Sequence, residues 1–139
     1  MPLSPELVAA YRDADYVVFG PPDLVLRIGE PSPRLDALLE AFGATTAAYL
    51  SAANPQGKPS PASENAAAAA VLDQLLEAAG YPRQAGEGRD PQDRWPPEPS
   101  VLAIGIYRVN AEMLGRLFGQ NAIVFVEKYA APELVILAT

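Results

Sequence analysis

The side chains of this chain that could do chemistry are carboxylates and carboxamides, because its 139 residues include no cysteine and no histidine. Disulfides, thiolate chemistry, imidazole catalysis, Ser-His-Asp triads and Cys/His zinc sites are therefore excluded within this chain. Amides and acids can still recognise a ligand through hydrogen bonds, act as a general base or hold a hard cation. The candidate ligand-binding residues are Asn54, Glu64, Asn65, Glu87, Trp95, Glu98, Gln120 and Asn121.

The charge of the chain argues against several kinds of partner. A net charge of −7 with only ten basic residues leaves no basic patch for nucleic acid or for an anionic membrane. No segment reaches the roughly 18 uninterrupted apolar residues of a spanning helix, and the N-terminus lacks a signal-peptide pattern. We therefore expect a cytoplasmic, bacterial-type protein, monomeric or homodimeric, with no cofactor, whose partner is a small polar molecule or a protein.

Helix starts are indicated by three serine–proline pairs. Ser4, Ser32 and Ser60 each precede a proline that suits the first helical position, so each is a predicted N-cap. Apolar residues at helical spacing predict helices over 32–42 and 61–79. A fourth helix is predicted from an Asn110 cap to Gly119, burying Leu114, Leu117 and Phe118.

Strand-like runs rich in branched and aromatic residues alternate with these helices. The runs predict a hairpin over 16–19 and 24–28, and strands over 45–53, 81–86, 101–107, 122–127 and 134–138. Pro82 and Gly86 count against a central position for the strand over 81–86. Residues 87–100 form the only long irregular stretch, a length that is often functional or mobile.

The order of these elements predicts one α+β domain over 1–139. From about residue 45 to 127 it reads strand, helix, strand, strand, helix, strand, which is the split βαβ or ferredoxin-like order. We expect a mainly antiparallel sheet with the helices on one face, an N-terminal helix-hairpin-helix extension and a C-terminal edge strand. Strands 45–53 and 101–107 should be adjacent and antiparallel.

This topology predicts that one end of the sheet collects the candidate polar residues, and we call that end the polar rim. These parts of the chain would meet there: the loop after strand 45–53, the start of helix 61–79, both ends of 87–100 and the Gln120-Asn121 pair. On the helix, Asn65 lies about 20° from the centre of the apolar stripe at ~100° per residue, so it should point inward. An inward carboxamide needs matched hydrogen bonds.

Each candidate also has a purely structural interpretation. Asn65 could hold the backbone of a neighbouring loop, and Gln120-Asn121 could satisfy the carbonyl groups at a helix end. Asn54-Pro55 is typical of a turn, and Trp95 of a packed loop anchor. Asp90, Asp93 and Glu98 could be solvated loop charges, whereas Glu87 between two glycines marks a bend that could approach a ligand.

Five short motifs resemble an uncharacterised bacterial family, the domain of unknown function numbered 3293. They are ANP (53–55), SENA (63–66), GEG (86–88), EPS (98–100) and LGRLFGQNAIV (114–124). The family is expected to carry an aromatic residue before the Asn-Pro pair, where this chain has Ala53. The resemblance implies no activity, but it supports most of the candidates, namely Asn54, Glu64, Asn65, Glu87, Gln120 and Asn121.

Two functions remain open from the sequence. The first is a small binding or interaction module whose carboxylates and carboxamides recognise a polar ligand, with 87–100 closing over it and Trp95 as an apolar contact. The second is a hydrolase or transferase based on carboxylates. In that case Glu64, Glu87 and Glu98 would hold Mg²⁺ or Mn²⁺, or one buried Glu would act as a general base.

Overall fold

The computed structural model describes residues 3–138 and has an α+β architecture. Within that range it contains four α-helices and a curled sheet of seven strands. The elements are α1 (Pro5–Asp13), β1 (Asp15–Val18), β2 (Leu24–Leu26), α2 (Pro33–Ala41), β3 (Thr46–Ser51), α3 (Ala62–Ala78), β4 (Arg83–Arg89), β5 (Glu98–Ile104), α4 (Arg108–Leu117), β6 (Ala122–Glu127) and β7 (Glu133–Ile136). A short 3₁₀ turn, Pro55–Gly57, follows β3.

Two of the three predicted serine caps are confirmed. The Ser4 hydroxyl accepts a hydrogen bond from the Leu7 amide at 3.1 Å, and Ser32 accepts one from Leu35 at 3.2 Å. The third prediction is wrong, because α3 begins one residue later than expected and no side chain caps it. The Ser60 amide instead donates to the Asn54 side chain at 3.0 Å, so Ser60 is held by the polar rim rather than by the helix.

Helix α4 differs from its prediction at its start and at one of the three residues expected to be buried, whereas Leu114 and Phe118 pack against the core. It begins at Arg108 with Tyr107 in the N-cap position, rather than after a cap at Asn110. Leu117, predicted to be buried, is 66 % exposed. The helix instead buries Ala111 and Gly115, because only small residues let it lie this close to the sheet. A Cβ added at Gly115 would overlap the side chains of β6 and the chain end.

Every neighbouring pair of strands in the sheet is antiparallel, in the order β2-β1-β4-β5-β3-β6-β7. The predicted adjacency of the strands over 45–53 and 101–107 is confirmed, with Tyr49 opposite Leu102. The hairpin of β1 with β2 and the pairing of β7 with β6 are also confirmed.

Strand β4 is longer and more central than its sequence suggested. It pairs with β5 on one side and β1 on the other, despite Gly86. A Cβ at Gly86 would overlap the backbone carbonyl of Val17, so the glycine is what allows β1 to approach. Since β4 runs to Arg89 and β5 starts at Glu98, the irregular stretch predicted over 87–100 shrinks to residues 90–97.

Helices cover both faces of the sheet, which corrects the expectation of a single helical face. Leu35 and Leu39 of α2 pack with Tyr49 on one face. Leu72 of α3 and Ala111 of α4 pack with residues such as Leu50 on the other. The strands alternate between two apolar sets, as expected for a sheet buried on both sides. Among residues 3–138, no helix is long and apolar enough to cross a membrane.

Candidate functional site

Two carboxamides at the end of β3 and the start of α3 form the base of the polar rim. The Asn54 amide donates to Asn65 Oδ1 at 3.0 Å, and Asn65 Nδ2 donates to Asn54 Oδ1 at 2.9 Å. Asn54 has the left-handed conformation, with φ 49°, which asparagine tolerates better than most residues. The inward carboxamide of Asn65 therefore has the matched partners that its position required, and it also holds the Ser60 carbonyl at 3.4 Å.

Glu98, the first residue of β5, joins this amide pair. Its Oε1 accepts from Asn54 Nδ2 at 2.9 Å. Its other oxygen accepts no hydrogen bond from a side chain or amide among the described residues. In that part of the chain, every side-chain oxygen that is fully buried has a hydrogen-bond partner. The second oxygen is therefore open to solvent. Burial raises the pKa of Glu98, and the hydrogen bond from Asn54 offsets part of that rise.

Tyr11 of α1 completes the polar group and was missed in the sequence. Asn121 Nδ2 donates to the Tyr11 hydroxyl at 3.2 Å, which leaves the phenolic hydrogen available for another acceptor. Burial raises the pKa of Tyr11; the Asn121 hydrogen bond lowers it, and the charge of Glu98 raises it. The available signal was the spacing of Leu7 and Tyr11, which places both on one helical face.

The Gln120-Asn121 pair divides between two roles. Gln120 Nε2 donates to the carbonyls of Ala53 at 3.0 Å and Phe118 at 3.3 Å, so this side chain ties the end of α4 to the end of β3. Asn121 is buried, and its backbone carbonyl accepts from Leu137 at 2.8 Å. Gln120 thus positions the backbone beneath Asn54, whereas Asn121 reaches the rim through Tyr11.

These polar groups lie along a cleft of about 540 Å³ between α1, the start of α3 and the loop before β5. We call it the Glu98 cleft. It is lined by Leu7, Ala10, Tyr11, Asn54, Gly57, Pro59, Ser60, Ala62, Asn65, Ala66, Trp95, Pro96, Pro97, Glu98 and Pro99. Glu98 is the only carboxylate in this lining, and none of the lining residues is Lys or Arg. The volume falls in the range of small-molecule sites.

Behind Tyr11 and Glu98 lies a second, smaller cavity of about 60 Å³. It lies against the face of the sheet that α2 covers, and its lining includes Tyr49, Ser100 and Gln120. Its volume corresponds to about two water molecules. Tyr11 and Glu98 therefore line both the open cleft and a small, mostly apolar cavity.

The loop over 90–97 is fixed at its first residue. The carboxylate of Asp90 accepts from the amides of Gln92 at 3.0 Å and Arg94 at 2.8 Å, and from the Arg94 guanidinium at 2.8 and 3.1 Å. The Arg94 hydrogen bonds lower the pKa of Asp90 to about 2, assisted by the two backbone amides and opposed by desolvation. The interpretation of Asp90 as a solvated charge was wrong, because the side chain is buried.

Trp95 follows in the same loop and has two surroundings. It packs partly against the core on the α2 face of the sheet. It also lines the Glu98 cleft beside two prolines. The packing of Trp95 against the core agrees with the interpretation as a loop anchor, and its contact with a ligand stays a prediction.

Two predicted residues do not join this group. Glu64 is exposed on the first turn of α3. Glu87 lies inside β4 opposite Pro99, and it forms an ion pair with Arg89 at 2.8 Å. Across residues 3–138 no set of three or more Asp, Glu, His or Cys side chains is placed to hold a metal ion. The three glutamates proposed as metal ligands are therefore not a ligand set.

The geometry can be compared with known proteins. A family model described as "Protein of unknown function (DUF3293)" matches residues 50–123, more than half of the chain. This range includes Asn54, Asn65, Trp95, Glu98 and the Gln120-Asn121 pair, whereas Tyr11 lies outside it. No curated protein and no solved structure matches the chain.

Proposed function

The chain belongs to the DUF3293 family, which has no assigned function, and we propose that the Glu98 cleft binds a small organic cation with an apolar body. One observation carries this proposal. Glu98 has one oxygen fixed by Asn54 and another with no donor among residues 3–138, and it lines a cleft to which those residues contribute no basic side chain.

The free oxygen of Glu98 would accept a charge-assisted hydrogen bond from the ligand. Such bonds are roughly twice as strong as neutral ones. A cation would also relieve the cost of keeping an ionised carboxylate in a desolvated place, which is the cost that raises the pKa of Glu98. The Tyr11 hydroxyl could donate to a polar atom beside the cationic group.

The rest of the cleft suits the apolar part of such a ligand. Trp95, Pro96 and Pro97 line one side, with Leu7 and Ala10 of α1 among the other lining residues. The face of an indole ring attracts a cation within about 6 Å, and the ring also offers apolar contact area. A phosphate or carboxylate ligand would meet Glu98 with no compensating positive charge in the lining.

Trp95 makes the test direct, because it is the only tryptophan in the chain. Its fluorescence can be titrated with phenethylamine and with the matched anion 3-phenylpropanoate. The amine should change the emission saturably, and the anion should not. Glu98→Gln keeps the size of the side chain and should weaken amine binding by roughly 10-fold or more, the loss expected for one charged hydrogen bond.

Glu64→Gln is the matched control, because it removes the same charge at an exposed site outside the cleft. Its titration should follow that of the unaltered chain. Equal binding of the amine and the anion, or an unchanged affinity in Glu98→Gln, would contradict the proposal.

A second candidate function is favoured by the raised pKa of Glu98. A carboxylate with a raised pKa and an open oxygen can act as a general base at neutral pH. The chain would then be a hydrolase or transferase based on Glu98, without the Mg²⁺ or Mn²⁺ that Glu64 and Glu87 would have to share. A panel of ester, amide and phosphoester substrates would test it, with activity expected to disappear in Glu98→Gln and to persist in Glu64→Gln.

We also propose that β3, α3, β4, β5, α4 and β6 form a ferredoxin-like split βαβ core, with α1, β1, β2 and α2 as a helix-hairpin-helix extension. The spatial order β4-β5-β3-β6, with antiparallel neighbours throughout, supports this proposal. A crystal structure with right-handed connections through α3 and α4 would bear it out. A left-handed connection at either helix would contradict it.

A further inference from the structure

The outer face of α4 carries a row of apolar side chains with no partner in the described chain. Val109, Met113 and Leu117 are 72, 59 and 66 % exposed. They are spaced four residues apart, so they form a single row about 12 Å long on one side of the helix. The opposite side of the same helix packs on the sheet through Ala111 and Gly115.

Helix α3 extends this apolar surface. Its Asp73 pairs with Arg83 of β4 at 2.5 Å, which marks the side of α3 that faces β4. Val71 and Leu75 lie about 160° around the helix from Asp73, so they point away from β4, and both are exposed. Helices α3 and α4 pack on the same face of the sheet, and together they expose five large apolar side chains, more than the isolated exposure normal for a surface.

We propose that this face pairs with the same face of a second copy of the chain, with the two α4 helices antiparallel around a two-fold axis at Met113. A two-fold interface must be self-complementary, because each residue meets the symmetry-related surface. In the antiparallel arrangement Met113 meets its own counterpart, and the two apolar rows run along each other. Helix packing of this kind excludes water from side chains that a single copy leaves exposed.

The charges beside the row favour a second copy over other occupants. Glu112 and Arg116 lie on the same edge of the row, about 40° apart around the helix. A two-fold rotation that pairs the helices antiparallel places this edge of one helix beside the same edge of the other. Arg116 then faces the partner subunit's Glu112. The axial offset between them is only about 3 Å, which an arginine side chain can bridge.

The contact that Arg116 makes within its own chain leaves it available for this role. Its distance to Glu112 is 3.5 Å, and its side chain is exposed. Glu112 is bound more closely by Arg108, at 3.0 Å. An antiparallel pair would place each Glu112 between its own Arg108 and the partner subunit's Arg116, which offsets the approach of the two Glu112 side chains to each other. An anionic membrane, in contrast, would repel the net negative chain.

The expected dimer is weak and depends on concentration. A helix of ten residues with one neighbouring helix presents less area than the roughly 800 Å² per subunit of standard stable interfaces. Sedimentation over a range of concentrations should show the average mass rising from 14.7 kDa toward twice that value. A mass that stays at 14.7 kDa at every concentration would overturn the proposal.

Substitutions at the centre of the row test where the dimer forms. Met113→Glu should abolish the rise in mass, because it places two carboxylates against each other at the axis. Met113→Leu is the control and should keep the dimer, since it preserves apolar volume. Both variants should keep the circular dichroism of the unaltered chain, because position 113 is exposed. A dimer that survives Met113→Glu would overturn the proposal.

An exchange of charges tests the antiparallel arrangement itself. Arg116→Glu alone and Glu112→Arg alone should each be monomeric, because each places like charges against each other in the pair. Mixing the two variants should restore a dimer, since only the mixed pair sets two acidic side chains of one variant against two basic side chains of the other. A mixture that stays monomeric, or a single variant that still dimerises, would overturn the proposal.

Discussion

Asp90 and Glu98 lie at the two ends of one loop and have opposite hydrogen-bonding environments. Asp90 is buried and accepts four hydrogen bonds, all from the following turn. Glu98 is partly buried and accepts one side-chain hydrogen bond, from Asn54. The pKa of Asp90 falls to about 2, and the pKa of Glu98 rises.

The difference shows that burial alone does not decide what a carboxylate does. Desolvation raises the pKa of both groups, and the number of donors decides whether the ionised form is stabilised. Asp90 uses its hydrogen-bonding capacity to build the loop. Glu98 has a side-chain donor on only one of its two oxygens, so the two acids should respond differently to substitution.

The largest effect is expected for Asp90→Asn. The variant loses the ion pair with Arg94 and turns an amide donor toward other donors. We expect the Tm to fall by roughly 10 °C, as for the loss of a buried charge partner in a domain of this size.

The control for this change is Asp93→Asn in the same loop. Asp93 is exposed and has a left-handed backbone, with φ 54°, which asparagine accepts readily. Its Tm should stay within about 1 °C of the original value. Differential scanning calorimetry gives both values, and an equal loss in the two variants would remove the contrast between the loop ends.

A smaller loss is expected for Asn65→Leu, which breaks the amide pair that holds Glu98 in place. Leucine would leave the Asn54 amide without its acceptor and leave Asn54 Oδ1 with only the Ser60 amide as donor, at a cost of about 2 kcal/mol. Gln74→Leu is the matched change on the exposed side of the same helix and should cost less than about 0.5 kcal/mol. Urea unfolding measures both, and a cost below that of Gln74→Leu would mean that the pair is not structural.

The smallest effect, and one of opposite sign, is expected for Glu98→Gln. The folded pKa of Glu98 is above its unfolded value, so ionisation of Glu98 costs stability as pH rises from the unfolded value through the folded one. The variant lacks this loss. It should match the original chain at about pH 3.5 and exceed it at about pH 7 by less than about 1 kcal/mol.

Asp90 should show the reverse pH dependence in the same melts. Its folded pKa is below the ordinary value of 3.8, so its contribution is complete above that value and is lost as pH falls toward about 2. Unfolding curves recorded from about pH 2 to pH 7 for the original chain and Glu98→Gln separate the two contributions. A Glu98→Gln variant that is less stable at neutral than at acidic pH, relative to the original chain, would contradict the raised pKa.

The sequence was informative where local chemistry sets the structure. Ser4 and Ser32 cap helices as their side chains predict, and helical periodicity correctly placed Asn65 inward. The antiparallel pairing of β3 with β5 followed from the order of elements. The convergence of Asn54, Asn65 and Glu98 then followed from the end of the sheet at which those elements meet.

The errors concern residues whose role is set by distant partners. Gly86 weakens a strand by local propensity, but β1, which lies far earlier in the chain, can approach only a glycine there. Glu87 was assigned to a bend because the strand around it was not recognised. Tyr11 contacts Asn121 across 110 positions, and no local pattern in α1 specifies that contact.

The strand order also bears on how this chain emerges from the ribosome. β1 pairs with β4, and β3 pairs with β6, so each of these early strands lacks one neighbouring strand until much later residues are synthesised. Until residue 127 has left the exit tunnel, one side of β3 presents unpaired backbone groups to solvent or to a chaperone. Long-range pairing of this kind slows folding, so we expect nascent chains truncated before β6 to aggregate more readily than chains that include it.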